Sequence, residues 1–97
     1  MGRHTEIRSF ALVAEKGSYA AAALGEGVTP VVMGRRLDAL ERRLGVKLMH
    51  RSTRGLTLTE LGEEFLEQCR HLLREFDAIE DAASSGGRTV RGHLLVS

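Results

Sequence analysis

Apolar residues recur at helical spacing along most of the chain. Ile7, Phe10, Ala11 and Ala14 are separated by three, one and three positions, which places them on one face of a helix over residues 5–16. Thr5 is positioned to cap that helix, Glu6 falls in its first turn, and Gly17 ends it. Ser18 can cap a short second helix through Tyr19, Ala20, Ala21, Ala22, Ala23 and Leu24, whose alanines let another helix approach closely. Gly25, Glu26 and Gly27 then read as a tight turn. Thr29-Pro30 is the clearest start signal, because threonine caps and proline at the first helical position loses no needed hydrogen bond. Met33, Leu37, Leu40 and Leu44 follow at steps of four, three and four and predict one buried face, with Gly45 at the end of this third helix.

Two short apolar pieces, residues 46–49 and 56–58, predict a β-hairpin with an exposed basic tip over residues 50–55. Thr59 starts a long helix with Glu60, Glu63 and Glu64 near the positive end of its dipole. Phe65, Cys69, Leu72, Phe76, Ile79 and Ala83 alternate steps of four and three, the spacing of a coiled-coil seam, and Leu61, Leu66 and Leu73 widen it. Residues 84–87 read as a hinge, and residues 93–97 read as a strand with no pairing partner in the chain. The expected fold class is mainly α.

At 97 residues the chain is one small domain or part of a longer one. Hydrophobic residues at 42% and charged residues at 28% are ordinary for a globular core. No apolar run approaches the length of a membrane span, and no signal peptide is visible. The single cysteine, Cys69, excludes an intramolecular disulfide and any cysteine cluster for zinc, which points to the cytoplasm. His4, His50, His71 and His93 are scattered, Ser18 and Ser52 lack a visible base, and no glycine-rich phosphate loop occurs. The expectation is a protein without cofactor or metal that is not an enzyme.

Charge changes the picture. The net value is only +1, but Arg35, Arg36, Arg42, Arg43, Lys47, Arg51 and Arg54 against Asp38 and Glu41 make residues 35–54 carry +5. Residues 60–81 carry −6. Such polarity suits a polyanion met by one side only, and it equally suits a solvated basic face.

Helix, glycine-containing turn, helix and basic hairpin is the helix-turn-helix plan, whose second helix enters the DNA major groove by its N-terminal end. Here that end carries Thr29, Pro30, Val31, Val32, Gly34, Arg35 and Arg36. A valine can touch a thymine methyl, and the arginines can reach guanine or phosphate. Arg54 beside Gly55 can enter a narrow minor groove, whereas Arg51 at the hairpin base either contacts DNA or hydrogen-bonds to the acidic side of the core. A lone unit of this kind binds weakly. The long helix, through Phe65, Cys69, Leu72, Leu73, Phe76, Ile79 and Ala83, is the expected dimer interface, with packing against its own domain as the alternative. A helical protein–protein interaction module without nucleic acid is the second functional reading.

Three runs carry a family resemblance. Phe10-x-x-Val13-Ala14-Glu15-x-Gly17-Ser18-Tyr19-x-Ala21-Ala22-Ala23 is the first. Val28-Thr29-Pro30-x-Val32-Met33-Gly34-Arg35-Arg36-Leu37-x-x-Leu40-Glu41-x-x-Leu44-Gly45 is the second. Leu48-Met49-x-Arg51-Ser52-x-Arg54-x-Leu56-x-Leu58-Thr59-x-x-Gly62 is the third. Together they resemble the N-terminal region of LysR-type transcriptional regulators over roughly residues 5–90. The resemblance implies a winged helix-turn-helix over 1–58, a linker helix over 59–84 that pairs antiparallel with a second copy, and from 85–97 a hinge and the first strand of a C-terminal effector-binding domain. It implies a homodimer on an interrupted inverted repeat in promoter DNA, a tetramer for the longer protein, and a small-molecule effector bound only by that further domain. The DNA contacts it implies are Ser18, Thr29, Pro30, Val31, Gly34, Arg35, Arg36, Ser52, Thr53 and Arg54. The sequence departs from the family where Gly34 replaces a usual serine or threonine, where Pro30-Val31 replaces a glutamine-proline pair, and where Glu26 replaces a buried leucine.

Overall fold

The computed structural model describes residues 2–53 and 55–85. Helices α1 (Arg3–Lys16), α2 (Tyr19–Glu26) and α3 (Pro30–Leu44) precede strands β1 (Met49–Ser52) and β2 (Gly55–Leu58), and a long helix α4 (Glu60–Ser84) follows. This is a three-helix unit with a two-stranded antiparallel wing, as the pattern predicts. The strand expected at 93–97 and the hinge beyond residue 85 lie outside the described residues.

Three of the predicted caps hold their helices. Ser18 Oγ accepts the Ala21 amide at 3.1 Å, Thr29 Oγ1 accepts the Val32 amide at 3.2 Å, and Thr59 Oγ1 accepts the Gly62 amide at 2.8 Å. Each satisfies one amide that the first turn leaves without an intrahelical partner. Two expected boundaries move. α1 begins at Arg3 with Gly2 as its cap, so Thr5 lies inside the helix. α2 runs through Gly25 and Glu26 and ends at Gly27, which takes the left-handed conformation (φ 68°) that lets its amide return to Ala23 and Leu24. Leu24 therefore stays helical and points outward, 85% exposed.

The core is formed by Phe10 and Val13 of α1, Ala22 and Ala23 of α2, Met33, Leu37 and Leu40 of α3, and Leu48 before β1, all buried. Leu44, expected in this core, is exposed, and its place on the buried face of α3 is taken by Glu41. That carboxylate is not orphaned. Its Oε2 accepts the Leu48 amide at 2.7 Å and the Met49 amide at 3.1 Å, which pins the chain as it enters the wing. The first strand begins at Met49 rather than at 46, and the Leu48 amide just before it is committed to that carboxylate instead of a neighbouring strand. His50, Arg51 and Ser52 then belong to β1, paired with Thr57, Leu56 and Gly55. The connection between the strands is correspondingly shorter than the expected tip.

α4 is rooted in the core. The Phe65 ring lies 5.5 Å from the Phe10 ring, and Leu66 and Cys69 are buried. A Cβ on Gly62 would overlap the Leu48 carbonyl oxygen, so only glycine lets the helix start this close to the wing. Farther along, His4 stacks on Phe76 at 4.3 Å and Arg8 bonds Asp77 at 3.1 Å, so α1 and α4 run antiparallel. The expected dimer seam is thus divided. Phe65, Cys69 and Leu73 turn partly or wholly toward their own domain, Phe76 is shared between the His4 ring and solvent, and Leu72 (48%), Ile79 (50%) and Ala83 stay exposed. Among the described residues no helix is long and apolar enough to cross a membrane.

Candidate nucleic-acid interface

α3 shows two chemically different faces. Met33, Leu37 and Leu40 point inward, and the opposite face carries Val31, Arg35, Asp38 and Arg42 at steps of four, three and four. Val31 is 63% exposed, a poor position for a valine in water unless something apolar meets it. Arg35 and Arg42 are exposed and have no partner among the described residues. Asp38 lies between them, and its charge is taken up by the Arg51 guanidinium reaching over from β1. That bond docks the wing beside the outer face of α3 and removes an anion that would repel a polyanion. It is the structural hydrogen bond that was one of the two alternatives for Arg51, and Glu41 Oε1 at 3.9 Å adds a second, weaker anchor.

Among the described residues, the other cations of the basic block are engaged. Arg43 donates through Nε and Nη2 to the buried Glu6 carboxylate at 3.1 and 2.6 Å. Lys47 Nζ is 3.8 Å from Glu41. Arg36, expected to reach DNA, turns inward: Nη1 donates to Glu26 Oε1 at 3.0 Å and to Ser9 Oγ at 3.1 Å, and the Ser9 hydroxyl donates to Glu26 at 3.4 Å. The Arg36 and Glu26 side chains are only 16% and 19% exposed. Glu26 thus occupies an interior position by bringing a cation with it, which joins α1, α2 and α3 at one point.

The remaining expected contacts fall near this surface. Thr29 and Pro30 are exposed at the N-terminus of α3, where unpaired amides and the dipole favour a phosphate. Ser18, half-buried, caps α2. Gly34 is half-buried against the Tyr19 ring, and a Cβ there would meet it at 3.7 Å, an ordinary contact. The glycine therefore reflects no steric demand; a serine would fit. The Arg51 guanidinium lies 5.6 Å from the centre of the same ring. Burial raises the Tyr19 hydroxyl pKa, so the ring stays neutral at physiological pH. Ser52 and Thr53 are exposed at the end of β1, and Arg54 lies outside the described residues.

Sequence reasoning missed Glu6, Glu26 and Glu41 as interior anchors and did not separate Arg42 from the rest of the block. The signal for Arg42 was present, since it sits seven positions from Arg35 on the same helix face. The carboxylates had no such signal, because Glu6 and Arg43 are 37 positions apart. Among the described residues no group of three or more His, Cys, Asp or Glu could hold a metal ion.

An outward helix face with two free arginines, flanked by a docked hairpin, has the charge and shape to meet a polyanion with grooves. A family described as bacterial regulatory helix-turn-helix proteins of the lysR family matches residues 4–63. An HTH-type transcriptional repressor of Pseudomonas aeruginosa (strain UCBPP-PA14) is 34% identical over 96 residues, 99% of this chain and 30% of the relative. The HTH-type transcriptional regulator DmlR of Escherichia coli (strain K12) is 35% identical over 91 residues, 94% of this chain and 30% of the relative. This chain therefore spans about three-tenths of these curated relatives. The crystal structure of a CbnR_DBD–DNA complex superimposes with a TM-score of 0.79 and 37% identity, covering 90% of this chain and 100% of that one. With its matched helix-turn-helix and wing, the chain belongs to the lysR family of bacterial regulatory helix-turn-helix proteins.

Proposed function

We propose that this chain is the DNA-reading part of a bacterial transcription regulator that acts in the cytoplasm. The observation that carries the reading is the outer face of α3, where Arg35 and Arg42 stand free on either side of an Asp38 already neutralised by the wing. α3 lies in the major groove. Val31 meets a thymine methyl, Arg35 reads a base edge or phosphate, and Arg42 holds the backbone. Thr29, Pro30 and Ser18 approach phosphates from the helix N-termini, and Ser52, Thr53 and Arg54 of the wing lie over the adjacent groove. Gly34, lacking a hydroxyl, leaves that contact to its neighbours. Arg36 positions the turn and does not touch DNA.

Residues 1–58 form the reading unit and 59–84 the linker helix. Two copies pair antiparallel along Leu72, Phe76, Ile79 and Ala83, which presents two α3 helices to an interrupted inverted repeat. The longer protein forms tetramers and binds its small-molecule effector through a C-terminal domain that begins after the hinge. The family likeness and the uncovered stripe on α4 support this arrangement.

Fluorescence anisotropy with two labelled duplexes tests the reading. One carries the region upstream of the protein's own gene, the other a shuffled sequence of equal length, each at two salt concentrations. Preferential binding that falls steeply with salt is expected. No binding to either duplex at low salt would overturn it.

A further inference from the structure

α4 has a third surface that neither its own core nor the uncovered stripe uses. On a helix turning about 100° per residue, Arg70, Leu73, Arg74 and Asp77 fall on the flank away from Leu61, Leu72 and Ile79. They line a groove of about 580 Å³ shared with α1 and the end of α2. On α1 the lining residues Arg8, Ala11, Leu12 and Glu15 lie opposite the buried Glu6, Ser9, Phe10 and Val13 that face the core. The groove is therefore on the far side of α1 from the core-facing residues, and it is lined by no residue of α3 and by none of Leu61, Leu72 and Ile79.

Its chemistry is lopsided. Ala11, Leu12 and Leu73 make an apolar floor, each partly exposed. Leu24 precedes Gly25 on the rim and is 85% exposed. Three of the lining charges are used internally, since Arg8 pairs with Asp77 and Glu26 with Arg36. Lys16, Arg70 and Arg74 remain without partners among the described residues, against Glu15 alone. Arg70 and Arg74 are four positions apart and put two like charges on one flank of a helix whose residues 60–81 otherwise carry an acidic excess. An apolar floor rimmed by free guanidinium groups is complementary to a carboxylate-rich partner with leucine-sized side chains, which bidentate arginine contacts would orient.

We propose that this groove docks an acidic, amphipathic segment of another protein while α3 and α4 carry out their own contacts. The guanidinium groups of Arg70 and Arg74 take its carboxylates, and Leu12 and Leu73 take its apolar anchors. The surface is separate from the DNA-reading face, so the regulator would hold a protein partner and its operator together.

The test uses the isotopically labelled chain and two short helical peptides, one with leucines at i and i+4 among glutamates, the other with lysine in place of every glutamate. In amide correlation spectra the glutamate peptide is expected to shift Leu12, Arg70, Leu73 and Arg74, and the lysine peptide to leave them unmoved. The variant R70Q/R74Q, altered only at exposed positions, should bind the glutamate peptide at least tenfold more weakly and bind duplex DNA unchanged. Shifts confined to α3 would mean that the peptide merely mimics DNA, and equal binding of both peptides would mean a nonspecific apolar patch. Either result, or no shift at all, overturns the proposal. Because the peptide titration needs no DNA, its failure is distinct from a failure of the duplex titration.

Discussion

Arg36 donates to Glu26 at 3.0 Å across the helix-turn-helix, and the pair closes on Ser9 of α1. The Nε of Arg36 remains buried without a partner among the described residues, so the knot is incompletely satisfied. Removing one member should cost more than the pair contributes. Glu26→Ala is expected to destabilise the fold by about 2 kcal/mol, since it leaves a largely buried cation, while the double change Glu26→Leu with Arg36→Leu should recover most of that loss. Urea unfolding of the three chains measures both. A single variant as stable as the parent would show that the pair is idle.

Arg35 and Arg36 are neighbours with opposite employment. Arg35→Ala should weaken duplex binding by about 1–3 kcal/mol and relax base preference at one position, with no change in melting temperature. Arg42→Ala should weaken all duplexes alike and lower the salt slope by about one. Arg54→Ala is expected to lose about 1–3 kcal/mol if its side chain enters a groove. Anisotropy titrations of each variant on specific and shuffled duplexes distinguish these outcomes, and an unchanged curve for Arg54→Ala would remove it from the interface.

Gly62 is the point where α4 passes the wing. Because any Cβ there overlaps the Leu48 carbonyl oxygen, Gly62→Ala must push the helix from the strand. The expected loss is about 2–3 kcal/mol despite alanine's higher helix propensity. The comparison is Gly34→Ala, where a Cβ makes only ordinary contact with the Tyr19 ring and the change should stabilise by up to about 1 kcal/mol. Thermal unfolding of the two variants should therefore move in opposite directions.

Cys69 is buried, and burial pushes its thiol up from the ordinary value of 9.0 to about 11. Its folded pKa is raised, so its contribution to stability is fully present below the unfolded value and is lost as pH rises through about 9 to 11. At pH 8 a maleimide should label the folded chain far more slowly than the chain in urea. Equal rates would place the thiol at the surface.

The uncovered apolar stripe predicts self-association. Ile79→Glu replaces a half-exposed side chain and should leave the monomer fold intact while shifting sedimentation from dimer to monomer. Retention of the dimer would mean that the copies meet elsewhere.

Much of this architecture was legible because its determinants are local. Thr29, Pro30, Gly45 and Thr59 act on amides or dihedrals within a few positions, so their residue types announce the helix ends. The errors arise where distant groups intervene. The start of β1 was misplaced because Glu41, seven positions earlier in α3, takes the Leu48 amide. Arg36 and Arg43 read as surface charge because Glu26 and Glu6, their partners, lie in other helices. The heptad spacing in α4 was correct as periodicity, but it could not say which side of a wide apolar arc faces home. Leu66 and Cys69 answered that by entering the core beside Phe10.

The rooting of α4 has a mechanical consequence. Twenty-five residues of helix make a rod of about 37 Å, clamped over its first turns between Phe10 and the wing and gripped again at His4 and Arg8. No flexible joint separates that rod from the three-helix body. A tilt applied at Ser84 is therefore delivered to α3 as rotation of one solid piece, in the manner of a caliper arm whose reach is set by the length of a helix instead of the slack of a loop.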